Sequence, residues 1–315
     1  MRVLPSTAAV VTAIVLAGCS PSASEVAEPA TVRVGTLIGQ AEYFAPFLYE
    51  EFTTGGTLVE IVPQDSQSGL ADAMSAGSVD FALMGVVSTL TAVAADRDLV
   101  VVGSAIEEGT SFMAREGYES LEQLVGRPIG YVAGSVQEVM LRLLIEDAGI
   151  DPATVTLVPL DEGSLFAEFE TGSIDAFVGT ELDGVLAREA GAHDLIDPYT
   201  TGVGALNIVL VTDSRHIAQE PETVQSLVSA HAAALAWMAD NTDDWIFDMV
   251  DSFGGDLLLA GKVADGLAYT AELPSSFSTE IGVLADELVT AGVIDAAPSI
   301  TLLVDDTFIT ADQAS

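Results

Sequence analysis

Ten residues with hydrogen-bonding, charged or conformationally permissive groups stand at the predicted ends of strands and starts of helices. They are Gln40, Tyr43, Asp65, Ser66, Ser88, Gly134, Ser135, Thr180, Glu181 and Asp183. Such side chains can hydrogen-bond a small solute, a glycine lets the backbone approach it, and amides at a helix start can donate to an anion. We predict that these residues contact a solute. The serines and the threonine could instead be helix caps, each worth about 1 kcal/mol.

The loops that carry these residues are rich in acids and contain no Lys or Arg. We place them at 39–44, 64–68, 85–89, 134–137, 161–164 and 180–183. Their acids include Asp65, Asp161, Glu162, Glu181 and Asp183. Burying an anion beside carboxylates is unfavourable unless a cation offsets it, so we favour a neutral or amine-bearing solute, such as an aromatic heterocycle. A sulfonate or another anion held by helix amides stays open, as does the alternative that these carboxylates point to solvent.

Cysteine, histidine and lysine are too few for most catalytic or metal-binding sites. The chain has 1 Cys and 3 His, and its single Lys is Lys262. No two histidines are close in sequence, so we expect no metal, no cofactor and no enzymatic activity. His231 shares a helical face with apolar residues, which indicates a structural histidine, whereas we interpret His193 and His216 as loop residues.

The elements that position these residues occur twice along the chain. Residues 33–40 align with 128–135, and residues 70–85 align with 165–180, both at an offset of 95. Each copy has the pattern of strand, loop and helix, which favours parallel sheets with right-handed crossovers. The sequence therefore predicts an α/β fold of two similar lobes, with the solute in the cleft where the strands of both lobes end.

The chain is expected to leave the first lobe and return to it through a hinge. The predicted boundaries are 31–112 with 205–315 for lobe one and 113–204 for lobe two. Ser135 and Glu138 fit a capping box at the start of a helix. Start and stop signals predict further helices at 70–76, 165–171, 220–241, 257–270 and 278–291.

The N-terminus is predicted to be an export signal. Residues 1–18 combine Arg2 with a short apolar run, which is typical of a signal peptide, and Leu16 to Cys19 resembles the bacterial lipobox. We expect Cys19 to carry lipid, residues 19–30 to be a flexible tether, and the protein to be anchored to the outer face of the cell membrane or on its periplasmic side. An ordinary secretory signal with an incidental Cys is the alternative.

The charge balance excludes several partners. With 9 Lys and Arg against 48 Asp and Glu, the formal net charge is −39. Nucleic acid and direct docking on an anionic membrane are disfavoured, which leaves the lipid anchor as the membrane contact. We expect a monomer, and we interpret the acidic surface as an adaptation to high salt.

Six segments in order, over residues 32–312, carry a resemblance to a known family. They are VRVGT, SQSGLADAMSAGSVDFALMG, SLEQLVGRPIGYVAGS, AGIDPATVTLVPL, FETGSIDAFVG and the pair AWMADN and LVTAGVID. The chain resembles the substrate-binding proteins of ABC importers, in the branch that serves aliphatic sulfonates, taurine, nitrate and thiamine-precursor pyrimidines.

The resemblance implies a type II-like periplasmic-binding-protein fold that closes on a small molecule and delivers it to the ABC permease subunits. A receptor for a TRAP-type transporter or a sensor is the alternative. One enzyme branch of this fold makes a thiamine pyrimidine with a pyridoxal cofactor and a sacrificial histidine. That branch is disfavoured because the predicted cleft loops contain no Lys or His.

Overall fold

The computed structural model describes residues 31–54, 56–161 and 163–312, with the backbone alone for 310–312. The predicted signal peptide, Cys19, the tether and Glu162 lie outside the described residues. The strands are β1 Thr31–Leu37, β2 Leu58–Gln64, β3 Phe81–Gly85, β4 Val100–Glu108, β5 Thr110–Ala114, β6 Pro128–Val132, β7 Thr156–Leu160, β8 Ala176–Thr180, β9 His193–Asp194, β10 Leu206–Thr212 and β11 Leu267–Tyr269.

Helices flank both sheets. They are α1 Tyr49–Phe52, α2 Gln67–Ser75, α3 Val86–Ala94, α4 Val136–Asp147, α5 Leu165–Thr171, α6 Glu181–Glu189, α7 Ser214–Gln219, α8 Pro221–Asp240, α9 Thr242–Phe253, α10 Leu257–Ala264, α11 Phe277–Thr290, α12 Ile300–Leu303 and α13 Thr307–Asp312. Among the described residues, no helix is both long and apolar enough to span a bilayer.

Two sheets with a common strand order form the cores of two lobes. In lobe one the order is β11-β4-β10-β3-β1-β2, and in lobe two it is β7-β6-β8-β5-β9. In each lobe three parallel strands (β2-β1-β3 and β7-β6-β8) adjoin one antiparallel strand, β10 or β5. The internal repeat is thus a repeat of topology, and the predicted two-lobed α/β fold is confirmed.

The chain passes between the sheets at Gly109. β4 ends at Glu108 in the first sheet, and β5 begins at Thr110 in the second. Gly109 has a φ of +78°, and a Cβ there would lie 2.8 Å from the Leu267 side chain, so glycine suits this crossing. The predicted boundary between residues 112 and 113 falls inside β5, because an apolar run does not mark where a strand changes sheet.

Helix α4 joins the two lobes through two apolar faces. Leu141 and Ile145 lie in the core of lobe two, whereas Val136 and Met140 lie in the larger core built around the sheet of lobe one. The second face packs against α11. A helix that is apolar on both sides is typical of an element buried between two layers, and its N-terminus lies at the predicted cleft.

The predicted helices form, with one partial error. α8 begins with Pro221 at its first position, and α5 ends at Gly172, whose φ is +84°. α2 begins three residues before its predicted start. The predicted helix 257–270 is wrong beyond Ala264, because Leu267–Tyr269 form β11 on the open edge of β4. That pairing depends on a partner strand more than 150 residues away, which local periodicity does not reveal.

Candidate functional site

Three of the predicted site residues cap helices whose N-termini follow strands at the predicted cleft edge. Ser66 Oγ accepts the Gly69 N–H of α2 at 3.1 Å, and Ser135 Oγ accepts the Glu138 N–H of α4 at 3.1 Å. Thr180 Oγ1 lies 3.5 Å from the backbone N of Asp183 in α6. Each of these side chains therefore serves its own helix, so a solute would meet groups that are already oriented.

The backbone amide just before α4 binds the carboxylate of Glu138, a residue of the same helix. Gly134 is exposed with a φ of +77°, and its N–H donates to Glu138 Oε2 at 2.7 Å. Glu138 Oε1 in turn accepts from the Arg142 guanidinium at 2.6 and 2.9 Å. An anion at this helix start would compete with Glu138, so the Gly134 amide is a poor anion donor here. Sequence reasoning noticed Glu138 only as part of the capping box.

Tyr43 belongs to a hydrogen-bonded chain that links three loops of lobe one. Thr36 Oγ1 donates to the Tyr43 carbonyl at 2.7 Å, and Gln67 Nε2 donates to the Tyr43 hydroxyl at 2.5 Å. Gln67 Oε1 accepts the N–H of Gly85 at 2.9 Å. The loops after β1, β2 and β3 are therefore fixed to one another. Gln67 was missed, although it lies inside the predicted loop 64–68.

Glu181 is buried in a network of protein partners. It is 6 % exposed, and its carboxylate accepts from Ser111 Oγ at 2.8 Å and from Arg188 Nη1 at 2.6 Å. It also packs on the backbone of Gly266, where a Cβ would lie 2.5 Å from Glu181 Cδ. The predicted cleft loops contain no Lys or Arg, but Arg188, seven residues further along α6, places its guanidinium beside Glu181. A cation is therefore present at this edge although none lies in the loops.

The remaining predicted residues are distributed over both lobes. Asp183 is buried, accepts from the Thr180 hydroxyl at 3.0 Å, and has its pKa raised by burial. Gln40 and Asp65 are exposed, and Ser88 is half-buried in the first turn of α3. The ten residues therefore lie in loops and helix starts that follow strands. Of their three acids, Asp65 is exposed, whereas Glu181 and Asp183 are buried.

Glu42 was missed, although it lies in the predicted loop 39–44. It belongs to a 3-10 turn, Ala41–Tyr43, that follows β1 and packs against α10. Burial is the main cause of the raised pKa of this half-buried carboxyl, and the negative charge of Glu181 raises it further. Glu42 of lobe one and Glu181 of lobe two therefore lie close enough for their charges to interact.

The structure also describes two cavities outside the cleft loops of lobe one. One of about 380 Å³ lies beside the hinge and is lined by Thr110, Glu181, Arg188, Tyr199 and Gly266, among others. The Tyr199 hydroxyl donates to the Thr110 carbonyl at 3.0 Å and accepts the Thr110 N–H at 2.8 Å. Of the predicted site residues, Glu181 alone lines this cavity. The second cavity, of about 240 Å³, lies at the far end of lobe one.

Two of the three histidines are buried, and the loop interpretation of His216 is wrong. His216 is 4 % exposed in α7, with its ring nitrogens 3.3 Å from Asp80 Oδ1 and 3.0 Å from Asp213 Oδ1. The His216 ring packs against β3, which lies far from it in the sequence, so the sequence alone did not indicate that it is buried. His193 lies in the two-residue strand β9, and its Nε2 is 2.8 Å from the carbonyl oxygen of Tyr118.

The structural interpretation of His231 is confirmed. Its Nε2 donates to the Ser104 carbonyl at 2.6 Å, since a carbonyl can only accept. Nδ1 therefore accepts from the Tyr49 hydroxyl, also at 2.6 Å. Burial lowers the pKa of His231 to about 4, which keeps the ring neutral.

Known proteins share this fold and parts of this sequence. The formylaminopyrimidine-binding protein of Halalkalibacterium halodurans is 27% identical over 211 residues, which cover 63% of each chain. The chain thus spans less than two thirds of the length of this curated relative. A putative periplasmic sulfonate-binding protein, SsuA of Methylobacillus flagellatus, superimposes with a TM-score of 0.76 at 14% identity and covers 91% of this chain and 94% of its own.

The same fold also occurs in the desulfurization enzyme DSZB. That structure has a TM-score of 0.65 at 16% identity and covers 90% of this chain and 99% of its own. These likenesses establish the periplasmic-binding-protein fold that the two lobes predicted. The model of the family described as "NMT1/THI5 like" matches residues 51–244, more than half of the chain. With its duplicated lobes and this match, the chain belongs to the NMT1/THI5-like family.

Proposed function

We propose that this protein is the extracytoplasmic solute-binding component of an ABC import system. It captures a small organic molecule between its lobes and delivers the molecule to the permease subunits. The observation that carries this proposal is the pair of lobes with one topology, whose helix starts and polar loops lie at the ends of strands around the interlobe edge. Ligands in open α/β sheets bind at such edges.

The solute is proposed to be neutral or amine-bearing, with an aromatic heterocycle favoured. Support comes from Asp65 and Asp183, which form no ion pair among the described residues, and from the similar protein named for formylaminopyrimidine. The similar fold of a sulfonate-binding protein supports the competing anion. The use of the Gly134 amide by Glu138 speaks against an anion at that helix start. The ten predicted residues remain our proposed contacts.

Export and lipid anchoring through Cys19 are part of this proposal. A Cys19→Ala variant would lose incorporation of radiolabelled palmitate and would be released from the membrane fraction if Cys19 carries lipid. Unchanged labelling of the variant would contradict the anchor and leave solute binding untouched.

An enzymatic function is the second candidate, because DSZB has the same fold. The six predicted cleft loops contain no Cys, His or Lys. Without these groups, the loops offer no amine for a Schiff base, and their serines have no His or Lys in the loops to activate them as nucleophiles. Binding without turnover is therefore favoured, and product analysis of any solute that binds tests it directly.

The experiment is thermal unfolding of the purified protein in high salt against taurine, alkanesulfonates, nitrate, aminopyrimidines and amines. A solute at about 100 times its Kd adds roughly 2.7 kcal/mol to the free energy of unfolding. That gain raises Tm by several degrees. A dose-dependent rise with one class supports the proposal, and no rise with any class contradicts it for these solutes.

A further inference from the structure

Two helix contacts join the lobes, and they differ in chemistry. α4 of lobe two packs against α11 of lobe one, with buried apolar side chains such as Met140 on α4 and Leu284 on α11. α6 of lobe two packs against α10 of lobe one. There Val185 is buried in the core of lobe one, and Glu181 lies against the backbone of Gly266. The first contact is therefore built from apolar side chains, whereas the second also contains charged ones.

Lys262 and Glu189 form an ion pair across the second contact. Lys262 lies on α10 and is the single lysine of the chain, and Glu189 is the last residue of α6. Among the ion pairs between described residues, this one alone joins the two lobes. Such a pair is broken when the lobes move apart, so it stabilises only the arrangement in which α6 and α10 touch.

The two helices that meet at this pair are otherwise acidic. α6 contains three acids and one base, and α10 is flanked by Asp256 and Asp265, with Lys262 as its base. Without Lys262, negative charge would lie on both sides of the contact, and like charges disfavour close approach. Lys262 therefore offsets a repulsion that the composition of this chain imposes on its lobes.

Water reaches the ion pair, because the side chains of Lys262 and Glu189 are 42 % and 50 % exposed. Solvent and dissolved ions screen an exposed pair, so its contribution is small and decreases as ionic strength rises. Salt does not screen the burial of apolar side chains between α4 and α11. The contact of α6 with α10 is therefore the easier of the two to separate.

We propose that the Lys262–Glu189 ion pair is an interlobe latch. Lobe two turns about its apolar contact at α4 and the chain crossing at Gly109, and this movement separates or joins α6 and α10. The latch shifts the protein without solute toward the joined arrangement, and dissolved salt weakens that shift. This inference goes beyond the proposed solute-binding function, because it concerns the solute-free protein. A solute that binds both lobes would gain apparent affinity from the latch.

Pulsed electron paramagnetic resonance tests the latch by measuring the distance between spin labels on the two lobes. The labels are attached through Glu170→Cys on α5, which packs against α6, and Asp251→Cys on α9, which packs against α10. Both positions are exposed, and Cys19→Ala removes the native thiol. In the solute-free protein, Lys262→Glu should lower the ratio of short to long distances by at least roughly twofold. Lys262→Gln, which adds no new negative charge, should lower it less.

An exchange of the two charges separates the latch from a merely structural role of either residue. Lys262→Glu combined with Glu189→Lys should restore the native distance distribution, although each single reversal shifts it. The matched control is Arg97→Glu, which changes the net charge equally but breaks a pair with Asp72 inside lobe one. This control should leave the distance between the lobes unchanged.

Salt provides the second measurement. The difference between the native protein and Lys262→Glu should shrink as KCl is added, because dissolved ions screen the pair. Native distances in Lys262→Glu at low salt would overturn the proposal. It would also be overturned by an exchange that restores nothing, by an equal shift in Arg97→Glu, or by a difference that KCl leaves unchanged. No solute is present in these measurements, so their outcome is independent of whether any solute binds.

Discussion

Replacing Gly266 by alanine tests whether the contact between α6 and the turn before β11 holds the lobes together. The new Cβ would lie 2.5 Å from Glu181 Cδ and 2.6 Å from Glu181 Cγ and Oε1. A normal van der Waals contact needs about 3.4 Å or more, so one side has to move by about 1 Å. The φ of Gly266 lies outside the left-handed region, so alanine adds no backbone strain.

The size of the effect follows from the partners of Glu181. If the Glu181 side chain moves, it loses bonds to Ser111 and Arg188 at 2.8 and 2.6 Å. Losing a hydrogen bond to a buried charged group costs about 1.5–3 kcal/mol. If the lobes separate instead, the closed state is destabilised by at most this free energy, because the protein takes the cheaper of the two responses. A smaller fraction of closed protein weakens the apparent solute affinity, by up to roughly tenfold to a hundredfold.

Hydrogen exchange of the α6 and β11 amides, followed by solute titration, measures both effects. Gly261→Ala in α10 is the matched control, because nothing lies within 4 Å of its new Cβ. This control should be stable or slightly stabilised, since alanine favours a helix by up to about 1 kcal/mol. Unchanged protection and unchanged affinity in Gly266→Ala would refute the view that this contact couples the lobes.

Three further predictions concern stability. Because burial lowers the pKa of His231 to about 4, the unfolded state binds the extra proton between pH 6.5 and pH 4. The free energy of unfolding should therefore fall with decreasing pH by up to about 3 kcal/mol. Urea titrations at several pH values should show that this free energy depends less on pH in His231→Gln than in the native protein. Gln67→Leu removes the bonds to Tyr43 and Gly85 and should cost about 1–3 kcal/mol, whereas unchanged urea midpoints would argue against this link. With a net charge of −39, Tm should rise steeply with added KCl, and a flat salt response would contradict high-salt adaptation.

Local signals in the sequence predicted the elements and their order. Ser135 with Glu138 marked the start of α4, and Gly172 marked the end of α5. The internal offset of 95 residues predicted two lobes of one topology, which the two sheets confirm. These features depend on residues a few positions apart or on repetition along the chain, so they can be read without knowing any tertiary contact.

The tertiary structure alone decided the partners of the charged residues. Arg188 pairs with Glu181, which also binds Ser111 70 residues away, so a carboxylate proposed to face a solute is held within the protein. Glu42 lay unnoticed in a predicted loop until the opposite lobe placed Glu181 near it. Electrostatic environment depends on distance in space and on exclusion of water, and neither quantity is written in the spacing of residues along the chain.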